Sequence, residues 1–153
     1  MIRPIREGEM DGVVDLWLRA SLDTHTFIPA EHWKARAADM REIWLPLSDV
    51  LLGYFDDETG KLAGFMAMVG DVLAALFVDS PWRGHGVGSR LFSLAARMQP
   101  ALSLTVYAAN GNAVAFYERR GLVRVAERIE KTTGQLEWVM TLGKSAGFTE
   151  KTD

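Results

Sequence analysis

The stretch from Val72 to Arg90 constrains the fold more than any other part of the chain. Val72–Val78 reads Val-Leu-Ala-Ala-Leu-Phe-Val, an unbroken apolar run of strand length. Such a run is expected of a strand buried on both faces. It leads through Asp-Ser-Pro-Trp-Arg-Gly-His-Gly-Val-Gly into a helical pattern over residues 87–98, with Val87, Leu91, Leu94, Ala95 and Met98 on one face. Pro100 stops that helix. Three alternating glycines, Gly84, Gly86 and Gly88, let the backbone turn tightly between strand and helix. Several N–H groups then converge beside the positive end of the helix, which suits a phosphate or pyrophosphate. Arg83 and Arg90 add positive charge nearby. A P-loop is excluded because no Lys follows the glycines. A dinucleotide fingerprint is excluded by the G-x-G-x-G spacing and its late position.

The remaining elements arrange themselves around this unit. Residues 2–6 read as a short strand. Val13, Leu16, Trp17 and Ala20 mark an amphipathic helix over 9–20. A loop from Ser21 precedes a helix over 30–43, in a segment bearing Pro29 and Pro46. Val50–Phe55 and Leu62–Val69, around Asp-Asp-Glu-Thr-Gly-Lys, predict an antiparallel hairpin. Residues 102–107 form a strand and 112–120 a short helix with Gly121 as its C-terminal cap. Residues 122–129 and 137–142 close a hairpin around Thr133-Gly134. The expected order is β-α-α-β-β-β-α-β-α-β-β, an α/β (α+β) fold with one mixed sheet and a single domain over residues 1–143. A polar tail covers 144–153.

Composition removes several function classes. The net charge of -3 over 153 residues gives no basic face for nucleic acid. The absence of cysteine rules out thiolate metal sites, disulfides and a cysteine nucleophile. His25 and His32 are joined by no third ligand at metal spacing, so no metal is expected. The N-terminus lacks the apolar core of a signal peptide, and no apolar run approaches the roughly 20 residues of a membrane span. A cytoplasmic location, with no membrane or nucleic-acid partner, is the resulting expectation.

Two motifs together resemble the Gcn5-related N-acetyltransferases (GNAT). Arg83-Gly-His-Gly-Val-Gly88 is similar to the family's (Q/R)-x-x-G-x-(G/A) acyl-CoA motif. Asn110-Gly-Asn-Ala-Val-Ala-Phe-Tyr117, followed by Glu-Arg-Arg-Gly-Leu122, resembles the family's N-x-x-A-x-x-F-Y-x-x-x-G-F block, departing from it at Leu122. The resemblance covers residues 2–142 and implies the GNAT fold, acetyl-CoA as cofactor, and direct transfer to a primary amine. Within the family, Ser21–Phe27, Gly64–Met66 and Ala74–Asp79 resemble the bacterial YjaB-type group of peptidyl-lysine acetyltransferases. That finer likeness implies a protein-lysine acceptor, with a small amine or amino acid as the alternative and a monomer or homodimer as the assembly. A non-catalytic acyl-CoA-binding module remains open. Acylation of aminoacyl-tRNA is disfavoured by the acidic balance.

The resemblance also assigns roles. Phe77 and Val78 would offer backbone groups to the pantetheine arm, and Arg83, Gly84, His85, Gly86, Val87, Gly88 and Ser89 would hold the pyrophosphate. Asn110 would contact the cofactor arm, and Tyr117 would protonate the leaving thiolate. His25, Phe27, Glu31 and Trp33 fall in the segment that covers the acceptor side in the family. The chemistry asks for a neutral amine, since a lysine-type group near pKa 10.4 is unprotonated only about once in 2,500 molecules at pH 7. It also asks for an oxyanion donor, Val78 by resemblance, and a proton for the thiolate. The strand where relatives carry a base holds Ala74 and Ala75 instead. Asp71, His25, Glu31, Tyr107 and solvent are left as alternatives for the amine's proton.

Overall fold

A computed structural model describes residues 1–143; the tail expected from Lys144 lies outside them. The chain divides into two compact units, Met1–Ala95 and the residues from Ala96 onward. Among the described residues no helix is long and apolar enough to cross a membrane.

In the first unit, β1 (Ile2–Pro4), β2 (Val50–Phe55), β3 (Leu62–Val69) and β4 (Val72–Val78) lie in that order, each antiparallel to the next. The β2–β3 turn closes as expected: Gly60 takes φ 72°, and the Asp56 carboxylate accepts from the Thr59 amide and hydroxyl at 2.9 and 2.8 Å. Between β1 and β2, α1 runs over Met10–Thr24 and α2 over Ala30–Asp39. Val13, Leu16, Trp17 and Ala20 are buried on α1, the stripe read from their spacing. The helix continues four residues beyond the expected end because Ser21–Thr24 contains no breaker, and the Thr24 hydroxyl donates back to the Ala20 carbonyl at 2.7 Å. A π-turn, Met40–Trp44, prolongs α2, with the Leu45 amide donating to the Met40 carbonyl at 3.0 Å, until Pro46 ends it.

Helix α3 (Val87–Met98) starts where expected, but its buried face is Val87, Leu91, Phe92 and Ala95. Met98, expected on that face, is 42% exposed at the helix end. Strand β4 also departs from the expected two-sided burial. Leu73 and Ala75 are buried, Leu76–Val78 are half-buried, and Val72 and Ala74 are exposed. The strand therefore starts with one face in water. Short apolar side chains tolerate this, so an apolar run alone does not establish two-sided burial.

In the second unit, β5 (Ser103–Tyr107), β7 (Leu136–Gly143) and β6 (Leu122–Ile129) form an antiparallel set in that order, with β7 central. Helix α4 (Gly111–Arg119) precedes β6, and Gly121, at φ 96°, makes the left-handed exit from it. The whole is the expected α/β fold class.

Gly64 on β3 is the tightest backbone contact at the β4–α3 junction. A Cβ built there would lie 2.8 Å from the Phe77 carbonyl oxygen and 3.0 Å from Val87 Cγ1. Backbone oxygen cannot move aside cheaply, so Gly64→Ala overpacks a buried junction at a cost of about 1–3 kcal/mol. Thermal unfolding should show Tm lowered by several degrees. An unchanged Tm would mean that β3 and β4 are not this close.

Candidate active site

The strand-to-helix connection is built as a cradle. Asp79 Oδ1 accepts the Ser80 amide at 3.0 Å and opens a single 3-10 turn, Ser80–Trp82. Gly84 and Gly86 then adopt φ 80° and 85°, the left-handed region that side chains with a Cβ avoid. The Arg90 amide donates to the Gly86 carbonyl at 3.0 Å, the first backbone bond of α3. The amides of the turn before it have no acceptor within the helix by geometry. A Cβ at Gly84 would meet no heavy atom within 4 Å, and one at Gly86 would meet only the Arg90 guanidinium, 3.7 Å away. The space over the loop is open, and the donors beneath it suit a pyrophosphate. His85 is exposed on the loop, whereas Val87 is buried and anchors the helix start. Gly88 and Ser89 are half-buried in the first turn of α3. The Arg90 guanidinium donates to the Tyr54 hydroxyl at 3.1 Å and so leans onto β2.

Strand register distinguishes Phe77 from Val78. The Asp79 amide donates to the Ala63 carbonyl at 2.8 Å, with Phe77 opposite Phe65 and Val78 opposite Gly64. Antiparallel alternation therefore aims the backbone groups of Phe77 at β3 and those of Val78 at the other edge of β4. Arg83 Nε donates to the Val78 carbonyl at 3.1 Å. Of the two residues, Val78 has its amide directed away from β3.

Three of the four residues expected on the acceptor side, His25, Phe27 and Trp33, join a run of aromatic rings. His25 stacks on Trp33 at 5.2 Å and meets Phe27 and Phe77 edge-on at 5.6 and 6.5 Å. Trp33 meets Trp17 at 5.9 Å, and Phe77 stacks on Phe65 at 5.7 Å. The structure thus brings His25, Phe27 and Trp33 together with the end of β4. Glu31 is exposed on the first turn of α2 and takes no part in this run. Burial pushes the His25 imidazole down to about 4, so it is neutral at pH 7. A base that weak is poorly matched to an ammonium near 10.4.

Two ion pairs went unread in the sequence. Arg19 meets Asp79 at 2.9 Å and Asp23 meets Arg83 at 2.5 Å. Their signal is a charge pattern: opposite charges four residues apart in α1, and again, with order reversed, after β4.

In the second unit, Asn110 is the N-cap of α4, its side-chain oxygen accepting the Ala113 amide at 3.3 Å. The Tyr117 ring meets Phe116 edge-on at 5.3 Å, and the Arg120 guanidinium lies 3.6 Å over the Phe116 ring. Burial raises the Tyr117 phenol above its ordinary range, against a smaller opposing effect of Arg120.

The His25 shift makes stability depend on pH. Its folded pKa of about 4 lies below the unfolded 6.5, so the unfolded chain binds more protons between these values. The contribution is complete above pH 6.5 and is lost as pH falls to 4, reaching about 3 kcal/mol. Urea unfolding from pH 7 to 4 should show wild type losing more stability than His25→Phe by about that amount. Parallel curves would remove His25 from the acid sensitivity.

Comparison with known proteins gives the family and the fold. Residues 25–139 match the family model described as an acetyltransferase (GNAT) domain. The chain is 31% identical over 142 residues to the peptidyl-lysine N-acetyltransferase YiaC of Escherichia coli (strain K12), covering 92% of this chain and 95% of that protein. It is 34% identical over 143 residues to the peptidyl-lysine N-acetyltransferase YjaB of the same organism, covering 94% and 89%. The solution structure of apo YjaB from Escherichia coli matches with TM-score 0.81 at 29% identity, over 92% of this chain and 95% of that one. A GCN5-related N-acetyltransferase from Rhodopseudomonas palustris shares the fold at TM-score 0.79 and 17% identity, over 94% of each chain. A chain that carries the glycine cradle and matches these proteins over nearly its whole length belongs to the GNAT family of acetyltransferases.

Proposed function

We propose that residues 1–143 act as one catalytic domain that transfers an acetyl group from acetyl-CoA directly to the ε-amine of a protein lysine. The observation that carries the donor assignment is the open cradle at Gly84 and Gly86, with the start of α3 beneath it. The acceptor assignment draws on YiaC and YjaB, both named as peptidyl-lysine N-acetyltransferases and both matched over more than nine-tenths of this chain. When bound, acetyl-CoA supplies an activated thioester; the rest is the work of the chain.

The amides between Gly84 and Ser89, apart from that of His85, which donates to the Trp82 carbonyl at 3.3 Å, hold the pyrophosphate by dipoles set in place before the ligand arrives. The Val78 amide, aimed away from β3, serves as the oxyanion donor. The C–S bond breaks as the neutral amine attacks; Tyr117 gives its proton to the leaving sulfur, the amine's proton passes to solvent water, and the phenolate regains a proton from solvent. Its raised pKa keeps it protonated throughout the working pH range. Desolvation that disfavours phenolate disfavours thiolate as well, so burial does not by itself widen the gap between donor and acceptor. His25, neutral and stacked on Trp33, shapes the acceptor side without acting as the base.

Thiol release from acetyl-CoA with a lysyl peptide, followed by mass spectrometry of the peptide, tests the assignment. Acetylation on the lysine side chain is expected. Acetylation of free small amines alone would replace the lysine acceptor with a small-molecule one, and CoA binding without thiol release would leave a binding module. Tyr117→Phe should lower turnover at least tenfold with the CoA dissociation constant nearly unchanged; equal turnover would remove Tyr117 from the chemistry. Gly86→Val places a β-branched residue at φ 85° and should abolish the thermal shift induced by CoA. A folded variant that retains the full shift would move the pyrophosphate elsewhere.

A further inference from the structure

The two ion pairs between α1 and the loop after β4 form a parallel two-rung ladder. Arg19 and Asp23 stand four residues apart on α1; Asp79 and Arg83 stand four apart on the loop, with the signs reversed. Arg19 Nη2 reaches Asp79 Oδ2 at 2.9 Å, and Arg83 Nη1 reaches Asp23 Oδ2 at 2.5 Å. Each loop partner also makes a second attachment. Asp79 Oδ1 accepts the Ser80 amide that opens the 3-10 turn, and Arg83 Nε donates to the Val78 carbonyl. These four side chains, with Leu22 and Pro81, line one groove beside the glycine loop. Arg83 is therefore held on two sides, and its charge is matched by a carboxylate of the protein itself.

We propose that this ladder is a strut that sets the donor cradle, and that Asp23 and Arg19 are positioning residues for donor binding, acting through Arg83 and Asp79. The proposal rests on the acetyl-CoA reading above. A loop with glycines at 84 and 86 has many accessible conformations, and holding it in one before the ligand arrives removes that ordering cost from binding. The pairs themselves are partly exposed, so each contributes little to global stability, and its loss falls mainly on the loop. An exposed pair worth up to about 1 kcal/mol corresponds to about fivefold in affinity. The opposite arrangement has the opposite sign. If Arg83 bound the pyrophosphate through its own charge, Asp23 would compete with the ligand, and removing the carboxylate would tighten binding.

The test measures CoA affinity by calorimetry, acetyl-CoA KM and kcat, and Tm for wild type, Asp23→Asn, Asp23→Glu, Arg83→Gln, the Asp23→Asn/Arg83→Gln double variant and Arg19→Gln. Asp23→Asn should weaken CoA about fivefold and raise KM to match, with kcat within twofold and Tm within about two degrees. Asp23→Glu should restore affinity, and the double variant should bind no more weakly than Arg83→Gln alone, because both substitutions break one strut. Arg19→Gln should weaken CoA in the same direction, a check that holds even if an Asp23 variant folds poorly. Tighter binding by Asp23→Asn, or additive losses in the double variant, would overturn the strut. Failure of the wild type to bind CoA would overturn the acetyl-CoA reading and the strut with it, and shows in the unmutated chain alone.

Discussion

The approach of Gly64 to the Phe77 carbonyl is the contact on which the glycine loop and the start of α3 depend. At this point β3, the end of β4 and the first turn of α3 meet, with Val87 and Leu91 closing the same space. A side chain here would push β4 from β3 and α3 from both. The register that sends the Val78 amide away from β3 would shift with it, as would the position at which the glycine turn begins. A missing methyl group thus fixes geometry several residues away, because close-packed interiors transmit displacement rather than absorb it.

Electrostatics in the first unit follows one theme: polar groups are held in place by the protein's own side chains. Arg83 is matched to Asp23, Arg90 leans on Tyr54, and His25 is kept neutral among rings. The loop is left to present oriented backbone amides. Such dipoles cost little reorganisation when a charged ligand arrives, and they do not depend on long side chains finding one rotamer. In the second unit, burial keeps the Tyr117 phenol protonated, the form in which it can donate.

How much of this the sequence carries depends on the range of the interaction. The hairpin strands β2 and β3, the start of α3 and the left-handed exit at Gly121 were legible because periodicity and turn chemistry are local. The one-sided burial at the start of β4 was not, since alanine is compatible with core and surface alike. Nor was the exchange of Met98 for Phe92 on the α3 face, which depends on what lies opposite. The cap that Asn110 provides to α4 was not read either, because the helix was expected to start at residue 112 and the bond from the Ala113 amide required coordinates.

By itself, then, the sequence determined the order of the elements, the glycine-rich turn from strand into helix and, through two motifs, the family. Only the tertiary structure decided that Arg83 is held by Asp23 and Val78, that His25 joins Phe27, Trp33 and Phe77, and that its imidazole is neutral. The physical reason is separation along the chain. Helix periods and glycine turns act over a few residues, whereas ion pairing and desolvation depend on which distant side chains the fold brings together, and no local pattern encodes that.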